Sequence, residues 1–145
     1  MKSDKSILIV EDDDAIRTLV ETVLRRRGFR VDTARNGIEA LERMNASAFA
    51  LVILDMMMPC MSGYEVLERL GTHPLSTRPL VLVLTAGLDP RPFDTTLVIG
   101  TIHKPFDLDL LVDVVSGCLA AAAVPETTVE ERRPIATPMP ESRLN

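Results

Sequence analysis

Three short apolar runs constrain this chain more than any other feature. Ile7-Leu8-Ile9-Val10, Leu51-Val52-Ile53-Leu54 and Leu80-Val81-Leu82-Val83-Leu84 are too short for typical helices and too uniformly apolar for strands with one wet face. Such runs read as strands buried on both sides, the pattern of a parallel sheet covered by helices. Each run also stops at polar chemistry: the acids Glu11 to Asp14, the lone Asp55, and Thr85. In open α/β sheets ligands collect outside the carboxyl ends of the strands, so these stops are where function is expected.

The segments between the runs carry helical spacing. After the first run, Ile16, Leu19, Val20, Val23 and Leu24 recur at helical intervals. Asp13 or Asp14 suits the N-cap of that helix and Gly28 its end. Phe29 to Ala34 alternates as a second strand, and Asn36-Gly37 turns into a helix with Ile38, Leu41 and Met44 on one face. Beyond Pro59 and Gly63, Tyr64, Val66, Leu67 and Leu70 form a third helix, closed by Gly71 and Pro74. Val98 to Ile102 is the expected fifth strand, delivering His103-Lys104-Pro105-Phe106 to the same edge. Asp107 caps a last helix bearing Leu108, Leu111, Val112, Val115 and Leu119. The fold class is therefore α/β: a doubly wound, five-stranded parallel sheet, flavodoxin-like, of order 2-1-3-4-5 with helices on both faces. Gly87 to Pro92, with Pro90 and Pro92, disfavours a helix interior, so the helix between strands four and five is expected to be short or absent.

With 145 residues the chain has room for one domain and one core. That domain is expected over residues 1–124, with residues 125–145, which hold four of the ten prolines, as a disordered tail. A net charge of −5 and the absence of a basic stripe argue against a nucleic-acid partner; Arg25 to Arg27 is a run at a helix end, where cations suit the macrodipole. Nothing before Ile7 resembles a signal-peptide core or a membrane span, so the expected location is the cytoplasm. Cys60 and Cys118 have neither metal-ligand nor disulfide-framework spacing and are expected as reduced thiols.

In the 2-1-3-4-5 order, strands one and three are neighbours, so Glu11 and Asp12 meet Asp55. Like charges about 4 Å apart repel by roughly 4 kcal/mol at an effective dielectric near 20. A divalent cation removes that conflict. The ligands are hard oxygens with no His or Cys cluster, which favours Mg²⁺ over Zn²⁺. Thr85 and Lys104, ending strands four and five, face the same crevice with a hydroxyl and an ammonium. Together the groups fit a phosphoryl transfer in which a carboxylate is the nucleophile and cations neutralise the equatorial oxygens. Taken singly, Asp55 could as well cap a helix and Lys104 could simply pair with Asp55.

In order along the chain, Ile-Val-Glu11-Asp12-Asp13, Asp55-Met-Met-Met58-Pro59 with Gly63 behind it, Leu84-Thr85-Ala86 and Lys104-Pro105-Phe106 resemble the receiver domain of two-component response regulators, over about Ile7 to Ala123. The resemblance implies that Asp55 is the phosphoacceptor. It further implies that Glu11, Asp12 and the backbone carbonyl of Met57 hold Mg²⁺, that Thr85 and Lys104 contact the phosphoryl group, and that the peptide before Pro105 is cis. The implied partners are a sensor histidine kinase or a histidine phosphotransfer protein and a downstream protein target. Two departures stand out. Thr101 occupies the position of the family's aromatic switch residue, so no aromatic flip can report the state of Thr85. The shortened, proline-rich stretch from Thr85 to Lys104 lies on the face where relatives commonly dimerise or meet targets, which leaves room for at most a weak homodimer.

The expected function is a stand-alone phospho-acceptor receiver that signals by phosphorylation-dependent partner binding and is not a turnover enzyme on an external substrate. No output domain is evident in the residues that follow. The alternative is a degenerate receiver acting as a constitutive interaction module. An aspartate-nucleophile phosphatase ranks below both, because the general acid such enzymes usually carry two residues on is here Met57, which cannot move a proton.

Overall fold

A computed structural model of the chain describes residues 6–74, 78–86 and 96–122. The elements run β1 (Ser6–Val10), α1 (Asp14–Arg26), β2 (Arg30–Ala34), α2 (Gly37–Ala46), β3 (Leu51–Asp55), α3 (Gly63–Leu70), β4 (Leu80–Thr85), β5 (Gly100–His103) and α4 (Leu108–Ala122). The strands form one all-parallel sheet, as the apolar runs predict, in the β2-β1-β3-β4-β5 order expected of the doubly wound class.

The alternation of side chains along each strand divides the core in two. Ile7, Ile9, Leu51, Ile53, Leu82 and Leu84 face α1 and α4, where they meet Val20, Leu24, Leu111, Val112 and Val115. Leu8, Val10, Val52, Leu54, Val81 and Val83 face α2 and α3, meeting Ala40, Val66, Leu67 and Leu70. Burying a side chain of this size contributes about 1.5–3 kcal/mol, and the β1, β3 and β4 interiors bury theirs completely.

Local chemistry sets the helix ends. The Asp13 carboxylate accepts the Ile16 N–H at 2.9 Å, and Asn36 accepts that of Glu39 at 2.8 Å. Ser62 and Glu65 form a reciprocal capping box at α3, and Asp107 accepts the Asp109 N–H at the start of α4. Such caps contribute about 1 kcal/mol each. After α1 the chain turns at Gly28, whose φ of +92° suits a residue without a Cβ.

Ile38 and Leu19, expected on core faces, are each 50% exposed. In α2 the contact residue is Gly37, where a Cβ would come within 2.8 Å of Met61; Ile38, about 100° further round the helix, is left outside. The fifth strand begins later than expected, at Gly100 instead of Val98: the chain bends at Leu97 and Ile99, although the Ile99 N–H already donates to the Val81 carbonyl at 2.9 Å. Among the described residues no helix lies between β4 and β5. At most one or two helical turns were expected from Pro92 through Leu97; residues 87–95 lie outside the described residues, and Thr96 and Leu97 are not helical. Residues 125–145, expected as a tail, also lie outside the described residues. No described helix is long and apolar enough to cross a membrane.

The edge strand β2 has an unusual margin. The Ala34 carbonyl accepts the Glu11 N–H on the β1 side, so Val31 and Thr33 turn their backbone groups outward. Arg25 of α1 donates to the Val31 carbonyl at 2.8 Å, and Arg43 of α2 donates to that of Thr33 at 2.7 Å.

Candidate functional site

The ends of β1 and β3 place Glu11 and Asp12 beside Asp55, with carboxylate oxygens of all three within 4.8 Å of one another. Glu11 and Asp55 are buried, 1% and 2% exposed, while Asp12 faces solvent. Glu11 also has several structural ties. Its N–H joins the ladder to Ala34, its Oε2 accepts the Asp13 N–H at 3.1 Å, and its carbonyl accepts from Arg17 Nη1 at 2.9 Å.

Lys104 enters from the end of β5. Its N–H donates to the Thr85 carbonyl at 2.8 Å, and the Lys104–Pro105 peptide is cis, as the resemblance implied. Nζ lies 3.0 Å from Glu11 Oε1 and 3.4 Å from Asp55 Oδ2. The ammonium thus sits between two carboxylates and nearer to Glu11 than to Asp55, the partner expected from sequence. The ammonium is the buried Glu11 Oε1's charged partner, at a distance suited to a charge-assisted contact.

Electrostatics follow from this crowding. Burial first, and then the neighbouring Glu11 charge, push the Asp55 carboxyl from 3.8 up to about 7, against the pull of Lys104 and of the Met57 N–H. Burial alone would lower Lys104; Glu11 and Asp55 outweigh it and leave its pKa raised. The arrangement stores unfavourable charge that one small hard cation would relieve. Opposed ligands of Mg²⁺ are separated by about 4 Å, close to the spread of these oxygens, and the donor set is all oxygen. Three carboxylates converge there against one ammonium, so the residues present fit that ion.

The loop after β3 completes the surroundings. The Met57 N–H donates to Asp55 Oδ1 at 3.2 Å, and the Met57 side chain is exposed. Gly63 packs so closely beneath the loop that a Cβ there would lie 2.6 Å from the Asp55 carbonyl oxygen and 2.7 Å from the Met56 Cα. Only glycine lets α3 start under the site. Between them Cys60 has a φ of 70°, and the Met61 N–H reaches back to the Pro59 carbonyl at 2.8 Å across it, a γ-turn contact. Thr85 ends β4 half-buried, with Lys104 following its register partner His103. Thr101 is exposed on β5.

At the other end of the sheet, a depression of about 370 Å³ between α2, α3 and the start of β4 is lined by Met44, Phe49, Leu70, His73 and Pro79 among others. It gathers a single titratable group, so the acidic end is the better candidate site. One participant was not singled out from sequence. Arg17, three residues after Asp14 on α1, reads as an ordinary solvated helix cation, yet its side chain is only 13% exposed.

Comparison with known proteins bears on this geometry. The family described as "Response regulator receiver domain" matches residues 7–116. A transcriptional regulatory protein CpxR homolog from Haemophilus influenzae is 40% identical over 83 residues, covering 57% of this chain and 35% of that protein. The chain thus spans about a third of the length of such curated relatives, and their being transcriptional regulators withdraws support from the expectation that nucleic acid plays no part. Among solved structures, a CheY-like receiver domain protein from Methanospirillum hungatei superposes with a TM-score of 0.73 at 26% identity, covering 81% of this chain and 95% of that one. The response regulator TrrA from Thermotoga maritima, solved in complex with Mg²⁺-BeF, gives 0.70 at 33% identity, covering 79% and 98%.

Proposed function

The chain belongs to the response regulator receiver domain family, and on that premise we propose that it is a phospho-acceptor module of a two-component phosphorelay, with Asp55 as the acceptor. The observation that carries this reading is the Lys104 ammonium held 3.0 and 3.4 Å from two buried carboxylates, in a cluster of three acids. A purely structural pair would need one acid and one base.

Glu11, Asp12 and Asp55, with the Met57 carbonyl, would hold Mg²⁺, which when bound neutralises charge on the phosphoryl oxygens. The Asp55 carboxylate attacks phosphorus in line with the leaving group of a phosphohistidine or small phosphodonor. The O–P bond forms as the bond to the leaving group breaks, and the product is a mixed anhydride. Lys104 already lies against the carboxylate that receives the group, so its ammonium can pass from Asp55 to a phosphoryl oxygen without a long movement. The Thr85 hydroxyl, on the neighbouring strand end, offers a second donor. The partners are a sensor histidine kinase or a phosphotransfer protein and a downstream protein whose affinity changes with phosphorylation through a population shift.

Intact-mass measurement after incubation with phosphoramidate or acetyl phosphate and Mg²⁺ tests the reading. Wild type gains the mass of one phosphoryl group, and Asp55→Asn gains nothing. No adduct on wild type, or an adduct that persists in Asp55→Asn, would overturn it.

A further inference from the structure

We propose that Arg17 is a positioning residue for the metal-binding carboxylates, fastening the backbone of the Glu11-Asp12 loop to the first turn of α1. This rests on the reading of the acidic cluster as a divalent-cation site. The guanidinium spans two anchors: Nη1 donates to the Glu11 carbonyl at 2.9 Å, and Nη2 pairs with Asp14. The Arg17 side chain is 13% exposed against 84% for Asp14, so the arginine lies folded onto the loop while its carboxylate partner remains in water.

The consequence falls on Asp12. On one side of it, Glu11 is held by its N–H to Ala34, its carbonyl to Arg17 and its Oε2 to the Asp13 N–H. On the other side, Asp13 is held as the cap of α1 through the Ile16 N–H. Asp12 therefore presents its carboxylate from a backbone fixed on both flanks, although the residue itself is exposed. Of these ties, the Arg17 fork joins the strand end to a helix turn six residues later. Without it the Glu11 carbonyl would take water as donor, and the acid pair would have to be ordered when the cation binds. Loss of an outer partner that orients a ligand commonly costs 10–100-fold in metal affinity; here the action is on the backbone, so about tenfold is expected.

The sign separates positioning from plain electrostatics. Removing a cation near a cation site by charge alone would tighten binding, whereas removing a positioning fork loosens it. Arg17→Lys keeps charge and helix propensity but offers one compact ammonium that cannot bridge both anchors in the guanidinium's planar geometry.

The test is Mn²⁺ binding, followed by the loss of free-ion EPR signal, for wild type, Asp55→Asn, Arg17→Gln and Arg17→Lys, with urea unfolding of each in parallel. Wild-type binding that Asp55→Asn abolishes establishes the site. On that background, both Arg17 variants should bind about tenfold more weakly while still folded, with lysine giving no rescue. Wild-type affinity in Arg17→Lys, or tighter binding in Arg17→Gln, overturns the positioning role while leaving the site intact. A wild-type chain that binds no Mn²⁺ overturns both. A role confined to the first turn of α1 would appear as lowered stability at unchanged affinity, and would also overturn the proposal.

Discussion

Strand β3 contains two regions that are equally hidden from water and opposite in what burial does to them. Ile53 and Leu54 are 0% exposed and Asp55 is 2% exposed. Burial of the aliphatic residues stabilises the fold. Burial of the acid next to Glu11 destabilises it and drives the carboxyl pKa up to about 7. The sheet's middle is thus optimised for stability, and its carboxyl end is held under charge stress by that middle.

The largest expected effect breaks the supporting half. Ile53→Ala removes packing from the α1/α4 side of the core and should cost about 3–4 kcal/mol in urea unfolding, with little dependence on pH. A loss below about 1 kcal/mol would mean that the two halves are not as distinct as described.

The next effect sharpens the stressed half. In metal-free buffer, Asp55→Asn should raise stability at pH 8 by roughly 1 kcal/mol, since relief of the buried charge, and then of its repulsion with Glu11, outweighs the loss of attraction to Lys104. The sign follows from a folded pKa of about 7 against 3.8 for the ordinary carboxyl. The wild-type acid's contribution to stability is fully present below the unfolded value and is lost as pH rises through about 7. The gap between variant and wild type should therefore widen from acid toward neutral pH and level off above it. Denaturation curves across pH would show this, and a gap that closes with rising pH would reverse the assignment.

The smallest effect concerns the loop that leaves the site. Cys60 holds a positive φ that L-residues seldom adopt, so Cys60→Gly should stabilise by about 0.5 kcal/mol, whereas Cys60→Ala should be neutral. Equal melting curves for the two variants would remove backbone strain from the contrast.

Much of this was legible in the sequence because the signals were strong and local. Apolar runs with no polar interruption could only be two-sided strands, and the 2-1-3-4-5 order then brought Glu11 and Asp12 to Asp55. Legibility failed where tertiary context decides. The start of β5 was misplaced because Val98 and Ile99 look more strand-like than Gly100 and exposed Thr101, yet the chain bends at Ile99 and regular pairing starts one residue on. Ile38 seemed a core residue because spacing cannot show that a glycine makes the contact with Met61. Arg17 gave no signal, since an arginine in the first turns of a helix has the same pattern whether it is solvated or laid across a neighbouring carbonyl. Nor could spacing reveal that Lys104 would lie closer to Glu11 than to Asp55.

The two arginines at the outer margin of β2 have a consequence for behaviour in crowded solution. A strand from another molecule seeking to extend the sheet there would first have to evict Arg25 and Arg43 from the carbonyls of Val31 and Thr33. Two side chains thus guard that side of the molecule against fibril-like growth, independently of whatever happens at the acidic end.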